Sequence, residues 1–287
     1  MHSFKQITSE TFMKPITYKG EPQEELNVAI IQMSLEHLNP AENAHVIDIL
    51  LKDLEPIEDD PIDLIVLPEM WNTGYVTGDE KIEPEWFYES LEWMKQKAQH
   101  YNTAIFGSMI HIENDVRTNR GVWVYPNGET LYYDKMHLFG PGGEAKHFSS
   151  GSERLLVEYK GWKLFPIICY DLRFPVWCRW TKKHDYDAIV CVASWPQARR
   201  SPWKALLRAR ASENLCYVLA CNRVGVDSYR QVYSGDSRII DPKLSLVKKL
   251  NKGEIGILLG RIDKRQVSDL RKKFPALEDA DEFTLHF

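Results

Sequence analysis

Cys169 ends a continuous apolar run, WKLFPIIC, that begins at Trp162, and it is followed at once by Tyr170, Asp171 and Arg173. A thiol at the end of a buried strand can act as a nucleophile if three other groups surround it. These are a base for its proton, a donor for the oxyanion and a proton source for the leaving group. Glu69 and Lys135 are of the types that complete such a set. Glu69 closes a second apolar run, DLIVLP, where desolvation raises a carboxyl pKa and suits the group to act as base and then as acid. Lys135 can hold a tetrahedral oxyanion beside the backbone N–H of Tyr170, and its charge favours thiolate. Each residue also has a plainer reading. A buried cysteine is a small hydrophobe, a glutamate at a strand end is a surface charge, and a lysine closing a hairpin faces solvent.

The elements that must position these groups alternate along the chain. LNVAIIQMS, starting at Leu26, reads as a strand; a helix opened by Asn39 or Pro40 runs through AENAHVIDILLKDLE and is stopped by EDDP. DLIVLP is the second strand, a helix is expected between Pro84 and His100, and NTAIFGSMIHI is the third strand. RGVWVYP and ETLYYDK are joined by Asn127-Gly128, a strong hairpin signal, and Lys135 lies where that hairpin ends, ahead of the loop GPGGE. RLLVEYK and WKLFPIIC pair around Lys160-Gly161, and Phe174 to Lys183 forms a short helix or turn. DYDAIVCVASWP is another buried strand. Ser201 is placed to cap a helix over Ser201 to Leu215 with Pro202 at its first position, and CYVLACNRVG follows as a strand. The tail holds SRIIDP, EIGILLGRID and a helix from Lys264 to about Lys273.

Strands alternating with helices in one part and forming hairpins in another indicate a layered α/β fold. In such folds functional groups collect beyond the carboxyl ends of strands. Three buried runs end on polar or aromatic groups: DLIVLP on Glu69, LFPIIC on Cys169 with Tyr170, and AIVCVA on Ser194 with Trp195. Their convergence would join residues a hundred positions apart in one cleft.

Length and composition set the frame. The 287 residues carry no linker-like stretch, so residues 26–287 are expected to form a single domain preceded by an N-terminal extension over 1–25. A net charge of -5 offers no basic surplus for nucleic acid. No apolar run of about 18 residues marks a membrane span, and the N-terminus lacks a secretory signal pattern, so a cytoplasmic protein is expected. Five cysteines without a CxxC pair argue against a disulfide framework and a zinc knuckle.

IVLPEM around Glu69, YDKMHLF around Lys135 and IICYDLRFP around Cys169 together resemble the nitrilase superfamily of carbon-nitrogen hydrolases, whose members use a Glu-Lys-Cys triad. The resemblance runs from about Leu26 to Phe274 and takes in SWP at 194–196, RARASENLCYVLACNRVG and YSGDSRIIDP. It implies a four-layer α-β-β-α sandwich, assembly as a homodimer or larger homo-oligomer, and no metal or organic cofactor. It also implies a second glutamate that supports the lysine and orients substrate; Glu144, seven residues before the Gly of FSSG, is the counterpart. CYDLRFP is similar to the branch that contains ω-amidase and related Nit proteins, whereas nitrile-cleaving members place Trp-Glu after the cysteine. The branch implies hydrolysis of the terminal amide of a short dicarboxylic monoamide, such as 2-oxoglutaramate or 2-oxosuccinamate, through a thioester. Arg173 is then the candidate partner for the substrate carboxylate, with a structural pairing to a buried acid as its other reading. Tyr170 and Trp195 are expected to wall the pocket.

Two other classes compete. A papain-like protease would use His137 or His147 as base, but the pattern such proteases show around the nucleophile is missing. A non-catalytic scaffold subunit of the same fold would have no need of the triad. Hydrolysis of another C–N bond, in an N-carbamoyl compound or a nitrile, is the alternative enzymatic reading.

Overall fold

The computed structural model describes residues 18–54 and 61–284. The EDDP stop and most of the expected N-terminal extension lie largely outside the described residues. Strands β1 (Glu25–Gln32), β2 (Leu64–Val66), β3 (Ala104–Glu113), β4 (Val116–Val124) and β5 (Thr130–Asp134) belong to the first half of the chain. Helices α1 (Pro40–Leu51) and α2 (Glu85–His100) connect the first three. Short helices α3 (Glu144–His147) and α4 (Pro175–Cys178) flank β6 (Val157–Tyr159) and β7 (Trp162–Ile168). The chain continues through β8 (Ala188–Ala193), α5 (Arg200–Asn214), β9 (Tyr217–Asn222), β10 (Val224–Val226), β11 (Val232–Ser234), β12 (Arg238–Ile240) and β13 (Leu246–Lys249). It closes with β14 (Gly256–Asp263) and α6 (Lys264–Lys273).

Two six-stranded sheets result, ordered β14-β1-β2-β3-β4-β5 and β13-β12-β9-β8-β7-β6. In each, three central strands run parallel (β1, β2, β3 and β7, β8, β9) and antiparallel strands flank them. Period-2 alternation explains the layering. Along β1, Val28 and Ile30 enter the core shared by the two sheets, while Ala29 and Ile31 join Ile47 of α1 and Leu91 of α2. Helix α5 buries Trp203, Leu207 and Ala211 against the second sheet. The order of layers is therefore helix, sheet, sheet, helix, the expected α-β-β-α sandwich. No helix among the described residues is long and apolar enough to cross a membrane.

Local signals account for most boundaries. The Asn39 side chain accepts a hydrogen bond from Glu42 N at 3.2 Å and caps α1. Gly128 takes φ +83 in the turn between β4 and β5, a conformation that costs an L side chain strain. Ser201 does not cap α5: the helix already begins at Arg200, after a 3₁₀ turn over Gln197–Arg199, and its N-cap position, Arg199, has no side-chain cap. Arg200 already has right-handed helical geometry (φ -58, ψ -39), so Ser201 lies inside the helix rather than at its cap. Strand β13 and the β10–β11 hairpin were not legible as separate periodic runs, being three or four residues each.

Between the sheets, Trp123 of β4 lies 6.2 Å from Tyr159 of β6, ring centre to ring centre, and is fully buried; its indole N–H is without a hydrogen-bond partner. Trp123→Ala should therefore cost about 3–5 kcal/mol in urea unfolding. Trp123→Phe should cost much less, since it keeps ring packing and removes an unpaired donor.

Candidate active site

The end of β2 and the end of β7 bring Glu69 and Cys169 to the same side of the sandwich, and both chain reversals use left-handed backbone. Met70, directly after Glu69, has φ 48, and Cys169 itself has φ 45. Such conformations cost non-glycine residues about 1–3 kcal/mol and persist only where the surroundings enforce them. Ser108 of β3 does so for Met70, its hydroxyl accepting from Met70 N at 3.0 Å and its carbonyl from Trp71 N at 3.1 Å. Lys135 follows β5 and continues the ladder, donating its backbone N–H to Asn119 O at 3.0 Å.

The Lys135 side chain is fully buried, unlike the solvent-facing lysine of the plainer reading. Its Nζ donates to Glu69 Oε1 at 2.8 Å and to Glu144 Oε1 and Oε2 at 3.0 and 2.8 Å. Asn119 Nδ2 bridges the same carboxylates, 2.9 Å from Glu69 Oε1 and 3.1 Å from Glu144 Oε1. The second oxygen of Glu69 accepts from Ser194 N at 2.7 Å, and Phe139 N donates to Glu144 Oε2 at 2.6 Å. Burial pushes the Glu69 carboxyl up from its ordinary value, with Lys135 opposing and Glu144 reinforcing the shift. Burial pulls the Lys135 ammonium down, but Glu144, Glu69 and Cys169 outweigh it and raise its pKa, so it stays charged.

Asp171 ties the thiol to the lysine. Its buried carboxylate accepts from Ile168 N at 3.0 Å, Tyr133 OH at 2.7 Å and His137 N at 2.9 Å, which joins the turn after β7 to the segment around Lys135. Gly151 then brings the Glu144 loop back: its N–H donates to Lys135 O at 3.0 Å, and a Cβ there would sit 2.1 Å from Asp134 O. Cys169 opens into a narrow pocket walled by Tyr75, Phe139, Tyr170, Arg173, Trp195 and Arg199, among others, with a cavity volume of about 20 Å³.

A model of the carbon-nitrogen hydrolase family matches residues 27–272. The chain belongs to the carbon-nitrogen hydrolase family. It is 38% identical over 261 residues to omega-amidase YafV of Yersinia enterocolitica, covering 91% of this chain and 98% of that protein. It is 29% identical to 2-oxoglutaramate amidase of Bacillus subtilis, covering 88% and 96%. Among solved structures, XC1258 of Xanthomonas campestris, a CN-hydrolase superfamily protein, superposes with a TM-score of 0.84 at 36% identity, covering 92% of this chain and all of that one. Nit3 of Saccharomyces cerevisiae, at 20% identity and a TM-score of 0.77, shares the fold, covering 90% and 97%.

In this carbon-nitrogen hydrolase, Glu69, Lys135, Glu144, Cys169, Tyr170, Arg173 and Trp195 all come together as expected from the sequence. The expected pull of the Lys135 charge on the thiol is present, but it is not the largest influence there. Lys135 does pull the Cys169 thiol towards ionisation, but burial first and the Glu69 carboxylate second outweigh it, and the thiol pKa lies well above its ordinary value. Among the described residues Arg173 pairs with no acid: its guanidinium lies 5.1 Å from the Trp195 ring centre. His137 is engaged with Asp171 through Nδ1 at 2.9 Å and stacks on Phe174, while His147 is exposed on α3, so neither serves Cys169 as a base.

Asn119, Tyr75, Phe139 and Arg199 escaped the sequence reading. Asn119 had a usable signal, because counting outward from Asn127-Gly128 along the hairpin arrives opposite Lys135 to within one place. The aromatic residues and Arg199 come from loops with no periodicity. Among the described residues no three His, Cys, Asp or Glu side chains form a metal-ligand group; the Glu69–Glu144 pair holds the Lys135 ammonium instead.

Cys178, Cys191, Cys216 and Cys221 are fully buried, whereas Cys169 is 6% exposed and faces the pocket. Iodoacetamide should therefore modify Cys169 alone in the native protein, as peptide mapping will show. Because the folded thiol pKa is raised, the labelling rate should keep climbing with pH through 9 rather than level off near neutrality.

Proposed function

We propose that the protein is an ω-amidase-like enzyme that hydrolyses the terminal amide of a short dicarboxylic monoamide, 2-oxoglutaramate or 2-oxosuccinamate, to the acid and ammonia. The observation that carries this is Lys135 held between Glu69 and Glu144 beside the only pocket-facing cysteine among the described residues. The similarity to omega-amidase YafV and to 2-oxoglutaramate amidase supports the substrate class.

In the proposed cycle the Glu69 carboxylate takes the Cys169 thiol proton as sulfur attacks the amide carbon. Burial raises both the thiol and the neighbouring carboxyl, which suits a concerted start better than a standing thiolate. The Lys135 ammonium and the backbone N–H of Tyr170 stabilise the tetrahedral oxyanion. Glu69 returns the proton to the nitrogen, ammonia departs and a thioester to Cys169 remains. Glu69 then takes a proton from water as its oxygen attacks the thioester carbon, and the proton goes to the departing sulfur. Glu144 holds Lys135 in place and orients substrate, Arg173 binds the substrate carboxylate, and Trp195 walls the pocket. Five free cysteines fit a cytoplasmic setting, and the family resemblance supports a homodimer or larger homo-oligomer.

Cys169→Ala should abolish ammonia release with the melting temperature retained. Glu69→Gln should lower kcat by about 10²–10⁴. In the wild type, protonation of Glu69 removes the base, so kcat/KM should fall with decreasing pH along a limb lying above the ordinary 4.5. A panel of 2-oxoglutaramate, 2-oxosuccinamate, carbamoyl amino acids and simple nitriles checks the substrate class; turnover of nitriles alone would overturn it.

A further inference from the structure

Arg199 occupies a place that the proposed cycle leaves unused. It ends the 3₁₀ turn before α5, and its half-buried side chain lines the same pocket as Cys169 and Arg173. Its guanidinium carbon lies 5.1 Å from the centre of the Phe139 ring, as that of Arg173 lies 5.1 Å from Trp195. Among the described residues neither guanidinium makes a hydrogen bond or ion pair. Other arginines nearby are fully engaged: Arg200 grips Asp236 through two bonds of 2.5 and 2.7 Å, and Arg210 holds Leu172 O and Glu213. The Arg199 backbone has its own anchor, since its carbonyl accepts from Trp195 Nε1 at 2.7 Å. Its position at the pocket is thus held without help from the side chain.

The charge balance of the pocket is one-sided. No Asp or Glu lines it, and the Glu69 and Glu144 carboxylates are committed to Lys135, Asn119 and backbone donors. Two guanidinium groups backed by aromatic faces leave their N–H edges available for a carboxylate, and the wall offers no carboxylate to pair with an ammonium. We propose that Arg199 is the second arm of a two-arginine anion clamp with Arg173. The clamp selects amides whose carboxylate is not neutralised by an α-ammonium and disfavours amino-acid amides such as glutamine. This rests on the amidase reading above. With a cavity that holds about one water molecule, the arms lie folded on their rings in this state, and substrate entry must lift them.

The test compares ammonia release from glutaramate and glutamine, which differ by the α-ammonium. The wild type should favour glutaramate by about a hundredfold or more in kcat/KM. Arg199→Gln should raise the KM for glutaramate about tenfold or more while kcat stays within about threefold, as expected for a lost charge-assisted bond. Arg199→Lys should recover part of that loss, and Arg199→Glu should narrow the glutaramate-to-glutamine preference further than Arg199→Gln. An unchanged KM in Arg199→Gln, or equal losses on both amides, would overturn the clamp while leaving the amidase reading standing. A wild type inactive on glutaramate, 2-oxoglutaramate and glutamine alike would overturn the amidase reading and the clamp together.

Discussion

The Lys135 ammonium lies out of water with one hydrogen bond to Glu69 and two to Glu144, and the rest of the site follows from keeping it there. Removing charges from water costs several kcal/mol per ion, and attraction repays it only where geometry is good and the remaining lone pairs are satisfied. Two carboxylates against one ammonium leave a surplus negative charge. Asn119 Nδ2, Ser194 N and Phe139 N each donate to these carboxylates and spread that surplus over neutral dipoles. Those donors come from β4, from the end of β8 and from the loop before α3, so one electrostatic requirement ties both sheets and a loop together.

The same cluster sets the state of the thiol. A lone lysine beside a cysteine would favour thiolate, but burial first and the Glu69 charge second outweigh Lys135 and push the thiol up. Left-handed backbone at Cys169 and Met70 places both groups at abrupt strand ends, and the Asp171 and Ser108 hydrogen bonds maintain that strain.

Much of this was legible in order. The apolar runs ending on Glu69, Cys169 and Ser194 correspond to β2, β7 and β8, and Asn127-Gly128 marks the turn that delivers Lys135. Long periodic helices were read to within a residue or so, as α2 and α6 show. Ser201 misled because the helix starts one residue earlier, at Arg200, which leaves Ser201 inside the first turn where its side chain cannot act as the N-cap. The hairpin register points to Asn119 as the residue opposite Lys135, but its two carboxylate partners, Glu69 after β2 and Glu144 in the loop, are brought to it only by the tertiary fold.

Periodicity and side-chain type are local properties, and they were enough to determine the strand ends, the hairpin and the layered α/β class, and to offer Cys169, Glu69 and Lys135 as candidates; the family resemblance singled out those three and added Glu144. Charge state and partnership are properties of distance and burial. Only the packed structure decided that burial and Glu69 push the Cys169 thiol up, that among the described residues Arg173 and Arg199 face the pocket without an ion pair, and that both histidines stand aside. Each depends on what residues far apart in sequence bring within a few ångströms, and on how completely they exclude water.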